Sequence, residues 1–147
     1  MKPGIRFSNE WTDEDMVELH IEICDGRSLF ATRVYVGHQQ LRNAVKDLEA
    51  FKHQIYGGIF NLRFGEFGPE YASGAFDARL QFREQGKILI RASAQSEFAS
   101  FDGREFAGET TLYLVSEPAL LDEFVRTLNA MSEARGEHAE LDGIVWN

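Results

Sequence analysis

The sequence predicts an α+β fold: one mostly antiparallel sheet of about six strands with two helices packed on one face. Three observations carry this. Several stretches alternate apolar and polar residues, the period of a half-buried strand. Only two stretches, one after Gly37 and one after Ser116, switch to helical spacing. Short turns rather than long crossovers separate most strands, which makes neighbours antiparallel.

The first strand is read in "MVELHIEIC", Met16 to Cys24. Val17, Leu19, Ile21 and Ile23 alternate with Glu18, His20 and Glu22. Asp25-Gly26 then supplies residues that tolerate positive φ, as a two-residue hairpin turn requires. Placing Cys24 opposite Arg27 sets Ile21 against Phe30, Leu19 against Thr32, Val17 against Val34, and Glu18 against Arg33 on the other face. The helical stripe Leu41, Val45, Leu48, Phe51 or Lys52, and Ile55 follows, closed by Gly57-Gly58. "IFNLRFGEF" alternates again and gives a third strand, with Phe60, Leu62 and Phe64 inward.

After the Gly- and aromatic-rich "GEFGPEYASG", "FDARLQFREQGKILIRASAQ" forms a second hairpin. A three-residue loop, Glu84-Gln85-Gly86, places Phe82 opposite Ile88, Leu80 opposite Ile90 and Ala78 opposite Ala92. "TTLYLV" is the sixth strand. Ser116 is the expected N-cap of a helix over Ala119–Met131, with Pro118 in its first turn. The tail, "EARGEHAELDGIVWN", is a loop or a last short strand.

Two stretches echo each other: "CDGRSLFATRVYV" from Cys24 and "FDGREFAGETTLYLV" from Phe101. Each opens on Asp-Gly-Arg, runs into an alternating strand and leads to a helix. The echo predicts an internal pseudo-repeat of turn, strand and helix.

Composition narrows the function classes. The 147 residues make one domain, 1–147, with 44% apolar content and no apolar run long enough to span a membrane. The start, "MKPGIRFSNEW", lacks the apolar core of a signal peptide, and the single Cys24 has no disulfide partner within the chain, so a cytoplasmic protein is expected. The formal charge of −9 argues against nucleic acid as partner and permits a basic protein. No phosphate loop, dinucleotide fingerprint, nucleophile elbow or metalloprotease helix is present. Glu18, His20 and Glu22 are the only grouped metal ligands. Alternating polar residues on any solvated strand look the same, so neither metal nor cofactor is expected.

The outward strand face is the most informative surface. It is expected to gather His20, Arg33, Tyr35, Arg79, Arg91 and Tyr113. Arg and Tyr are enriched at the energetic centres of protein interfaces. The plain alternative is a solvated face laced with cross-strand ion pairs.

The order of parts resembles bacterial immunity proteins of the wall-associated-protein type. The resemblance rests on the early Trp11, the hairpin, "LRNAVKDLEAF", the Phe-rich middle strand, "GKILIRASAQ" and "LYLVSEPALLDEFVRTL". It implies a non-enzymatic domain that neutralises a toxin, with a basic toxin domain as the partner that the chain's charge permits. The segment "GEFGPE" departs from the Glu-Pro-rich middle of that family. The alternatives are a small-molecule-binding or enzymatic domain with a pocket between sheet and helices, and a homo-oligomer that dimerises through its open sheet face.

Overall fold

In the computed structural model, which describes residues 1–68 and 73–145, the chain is α+β and its strands are antiparallel. The strands β1 (Gly4–Thr12), β2 (Met16–Cys24) and β3 (Leu29–Gly37) lead into α1 (His38–Phe51) and then β4 (Ile59–Phe64). The chain then repeats the plan. β5 (Ala75–Arg83), β6 (Lys87–Gln95) and β9 (Glu109–Ser116) lead into α2 (Pro118–Ser132) and then β10 (His138–Asp142). Between β6 and β9 a small hairpin is inserted, β7 (Ala99–Phe101) and β8 (Arg104–Phe106).

The expected single sheet of six strands is not what forms. Among the described residues there are ten strands in three sheets, ordered β10-β1-β2-β3, β4-β5-β6-β9 and β7-β8. Alternation fixes which face a strand buries, not which strand it pairs with. Each large sheet takes three strands from one unit and its fourth from the other. β4 pairs with β5, and β10 pairs with β1. The order strand, strand, strand, helix, strand thus occurs twice with the last strands exchanged, while the second Asp-Gly-Arg lies at the tip of the inserted β7–β8 hairpin and not at the start of the strand that leads into α2. The strand β1 carries Ile5 and Phe7 inward, an alternation that the sequence reading passed over.

The two four-stranded sheets and both helices share one core. Leu41, Val45, Leu48 and Phe51 bury the stripe of α1, and Leu121, Phe124, Val125, Leu128 and Met131 that of α2. Phe7 is at the junction. Its ring meets Phe64, Phe76 and Phe124 edge-on at 5.8, 5.4 and 5.6 Å, so a strand of the first unit contacts both strands and helix beyond it. The sheets are also latched at their edges. The Gly74 N–H donates to the Arg33 carbonyl at 2.9 Å, and the buried Thr32 hydroxyl to the Gln95 carbonyl at 2.7 Å.

Local expectations fare unevenly. The β5–β6 register is as read, with Phe82 opposite Ile88, Leu80 opposite Ile90 and Ala78 opposite Ala92. The β2–β3 register is shifted by two. Cys24 lies opposite Leu29, Ile21 opposite Thr32, Leu19 opposite Val34, and Glu18 opposite Tyr35 rather than Arg33. The cause is Asp25, whose Oδ1 accepts from the N–H groups of both Arg27 and Ser28 at 2.8 Å and widens the turn. A shift of two keeps every side chain on its expected face. The helix α1 begins at His38 and stops at Phe51; Ile55 is exposed, because the core ends with Phe51. Ser116 does not cap α2. Its hydroxyl donates to the Asp142 carbonyl at 2.6 Å, and Glu117 occupies the cap position without a side-chain bond to the helix, its carboxylate accepting from Lys87 at 3.2 Å instead. No described helix is long and apolar enough to cross a membrane.

Candidate functional site

Six residues were expected on one face; they lie on two. His20, Arg33 and Tyr35 project from the outer face of the first sheet, and Arg79, Arg91 and Tyr113 from that of the second. The strands that carry the first three and those that carry the last three do not pair with one another and form separate sheets. The two faces differ in chemistry.

On the first face, Trp11, Glu18 and Tyr35 form one row across three strands. The pairing of β1 with β2 shifts register between Asn9 and Trp11. Such a bulge re-aims the side chains beside it. Here it brings Trp11 onto the side that carries Arg6 and Ser8. Trp11 is 49% exposed and Tyr35 41%, and with Met16 and Glu18 they line a depression of about 450 Å³. The next row holds Ser8, His20 and Arg33. His20 Nε2 meets a Glu22 carboxylate oxygen at 3.2 Å, and Nδ1 lies 4.0 Å from Glu10. Glu22 and Glu140 flank Arg6, which forms an ion pair with Glu140 at 3.0 Å. The face is aromatic at one end and rich in carboxylates throughout. Its electrostatics follow: a hydrogen bond with Glu18, then the charges of Glu18 and Glu97, raise the Tyr35 hydroxyl above its ordinary pKa, against a smaller lowering by Arg33.

Glu97 connects this face to the inserted hairpin, at whose root it stands. Residues 96–108, "SEFASFDGREFAG", hold three carboxylates against one arginine. Every residue of β7 and β8 is exposed. Asp102 and Gly103 both take positive φ, giving the tight turn that the second Asp-Gly-Arg predicts. Phe101 (73% exposed) and Phe106 (50%) meet edge-on at 6.0 Å on the same side of this arm. Sequence reasoning missed the arm because its apolar residues look like those of any buried strand.

On the second face the rows read Ile59, Gln81, Leu89, Val115, and then Asn61, Arg79, Arg91, Tyr113. A third row holds Arg63, Asp77, Ser93 and Thr111, with a 2.9 Å bond between the last two hydroxyls. At the β4 edge of the second sheet, α1 and β4 flank a polar groove lined by Gln39, Asn43, Asp47 and β4 itself. Among the described residues no three His, Cys, Asp or Glu side chains converge as metal ligands: Glu18 turns to Tyr35, away from His20 and Glu22. Cys24 is buried and accepts the Gly26 N–H at 3.3 Å. Part of the expected aromatic loop, residues 69–72, and the end of the tail, residues 146 and 147, lie outside the described residues.

Comparison with known protein families, with curated proteins and with solved structures finds no match to this chain.

Proposed function

We propose that the protein is a protein-binding domain, not an enzyme, that docks a basic partner on the surface formed by the outer face of the first sheet and the root of the arm. The observation that carries this is the row Trp11, Glu18, Tyr35: two half-exposed aromatics on paired strands, set among Glu10, Glu22 and Glu97. Large aromatics mounted on strands lose little side-chain entropy on docking and supply most of an interface's energy. The carboxylates around them and the net charge of −9 steer a basic protein to this face. Toxin neutralisation in the manner of wall-associated-protein-type immunity proteins is the biological form that the sequence resemblance suggests for such a domain.

The test is coexpression of the tagged chain with the products of neighbouring genes, followed by calorimetric titration of whatever protein is captured. Replacing Trp11 and Tyr35 together by Ala is expected to weaken binding about 30-fold or more, the loss of an interface centre of about 2 kcal/mol. Wild-type affinity should fall as salt rises. Unchanged affinity in the double variant, or a captured partner that is acidic, overturns the proposal.

A further inference from the structure

From the second sheet's outer face we infer a separate binding site for a carboxylate carried on an apolar body, centred on Arg79, Arg91 and Tyr113. Arg79 and Arg91 are direct cross-strand neighbours, and Tyr113 is the neighbour of Arg91 on its other side. Like charges in directly opposed strand positions repel and lower stability. In a chain with so many carboxylates, an ion-pair partner would be the ordinary remedy. Among the described residues neither arginine has one within 4.0 Å. Asp77 is two residues from Arg79 on the same face, yet its Oδ1 is buried without any hydrogen-bond partner.

Two guanidinium forks side by side present donors in the planar arrangement that a carboxylate accepts bidentately. The Tyr113 side chain, 70% exposed, adds a hydroxyl and a broad ring. Beside the arginines, Leu89 and Val115 form the apolar part of a depression of about 340 Å³ that Arg79, Gln81, Arg91 and Tyr113 complete. Charged donors beside apolar lining is the pattern of a site that orients an amphipathic ligand. In the adjoining row Arg63 is paired with Glu66 at 3.3 Å, so Asp77 opposite it offsets part of the positive charge, which favours a singly charged anion over a phosphate dianion. The carboxylate can come from a free aryl or alkyl acid, or from the C-terminus of a peptide that ends in an apolar residue. The recognising chemistry is the same.

The experiment is a low-salt titration followed by amide chemical shifts, with three probes: 4-phenylbutyrate, a tetrapeptide ending in Phe with a free C-terminus, and inorganic phosphate. Saturable shifts at Leu89, Arg91 and Tyr113 are expected with a carboxylate probe. If only 4-phenylbutyrate gives them, the source is a free acid; if only the tetrapeptide does, it is a chain terminus. Affinity should drop about 10-fold or more in R79Q/R91Q and for 4-phenylbutyramide or the C-terminally amidated peptide. The double variant should melt at or above the wild-type temperature, since it removes an opposed like-charge pair, so lost binding will not reflect lost folding. Equal binding of the amides, equal binding by R79Q/R91Q, or phosphate binding as tight as carboxylate overturns the site. Trp11 and Tyr35 are on the other sheet, so this result and the partner titration can fail independently.

Discussion

The two hairpins β2–β3 and β6–β9 occupy equivalent places in the two units, and they differ where it matters. Both carry Asp-Gly-Arg at the tip and both feed a helix. In the first, Asp25 closes a compact turn and the strands end there. In the second, the same tripeptide is carried outward on the exposed β7–β8 arm, with Phe101 and Phe106 in solvent. The inward faces of the elements that the units share build the core; the arm, which only one unit has, is exposed along both its strands. Trp11, brought to the surface by a bulge, belongs with the arm on the unshared side.

The largest effect should come from the shared side. Phe7→Ala removes the ring that meets Phe64, Phe76 and Phe124, and is expected to cost about 3–5 kcal/mol in a urea melt. A loss under about 1 kcal/mol would mean that the units are stable apart. Gly74→Ala comes next. An added Cβ would lie 1.9 Å from the Thr32 hydroxyl, 2.5 Å from the Gln95 carbonyl and 2.9 Å from the Arg33 carbonyl. Two of the three neighbours are backbone and cannot swing aside, so the latch between sheets must open, at about 3 kcal/mol.

Smaller effects sharpen the contrast between the turns. Gly26 and Gly86 have φ of 96° and 67°, so Ala at either should cost on the order of 1 kcal/mol through backbone strain. A neutral outcome at Gly26 would show that the first turn is not fixed by its Asp-Gly pair. The smallest effect is the pH dependence of the Asp25 turn. The N–H groups of Ser28 and Arg27 hold its carboxyl below the ordinary value of 3.8. A depressed folded-state pKa gives stability that is fully present above 3.8 and is lost as pH falls through the folded value. The urea midpoint of wild type should therefore exceed that of Asp25→Asn at about pH 6, and the gap should narrow as pH falls below 3.8. A gap that does not close would assign the turn's stability to something other than the carboxylate.

Much of this scaffold was legible in the sequence, for physical reasons. Alternation in Val17–Ile23 and in Ala78–Ile90 placed every one of those side chains on its proper face, because a strand's period of two does not depend on its partners. The three-residue loop at Glu84–Gly86 fixed its hairpin outright. Asp25-Gly26 did not, because an Asp can close a longer loop through its own side chain as readily as it enters a tight one. Pairing between units was illegible. Nothing in "IFNLRF" or "HAELD" says that it will join the other unit's sheet. The candidate residues suffered most from this: Tyr35 and Arg91 were each placed outward correctly, yet they are mounted on different sheets. The acidic aromatic surface was half visible. Glu18, His20, Glu22 and Tyr35 could be read from their strands, whereas Trp11 needed the bulge and Phe101 needed the arm.

The claim that the unshared elements serve recognition and not folding is tested most directly by removing the arm. Residues 97–107 are replaced by a two-residue Asn-Gly turn, and the urea midpoint and the affinity for the captured basic partner are measured on the same preparation. Unfolding free energy within about 1 kcal/mol of wild type is expected, since no residue of β7 or β8 is buried, together with at least a tenfold loss of binding. Wild-type affinity in the shortened chain would show that the arm has no part in binding, and a collapse of stability would show that the arm is needed for folding.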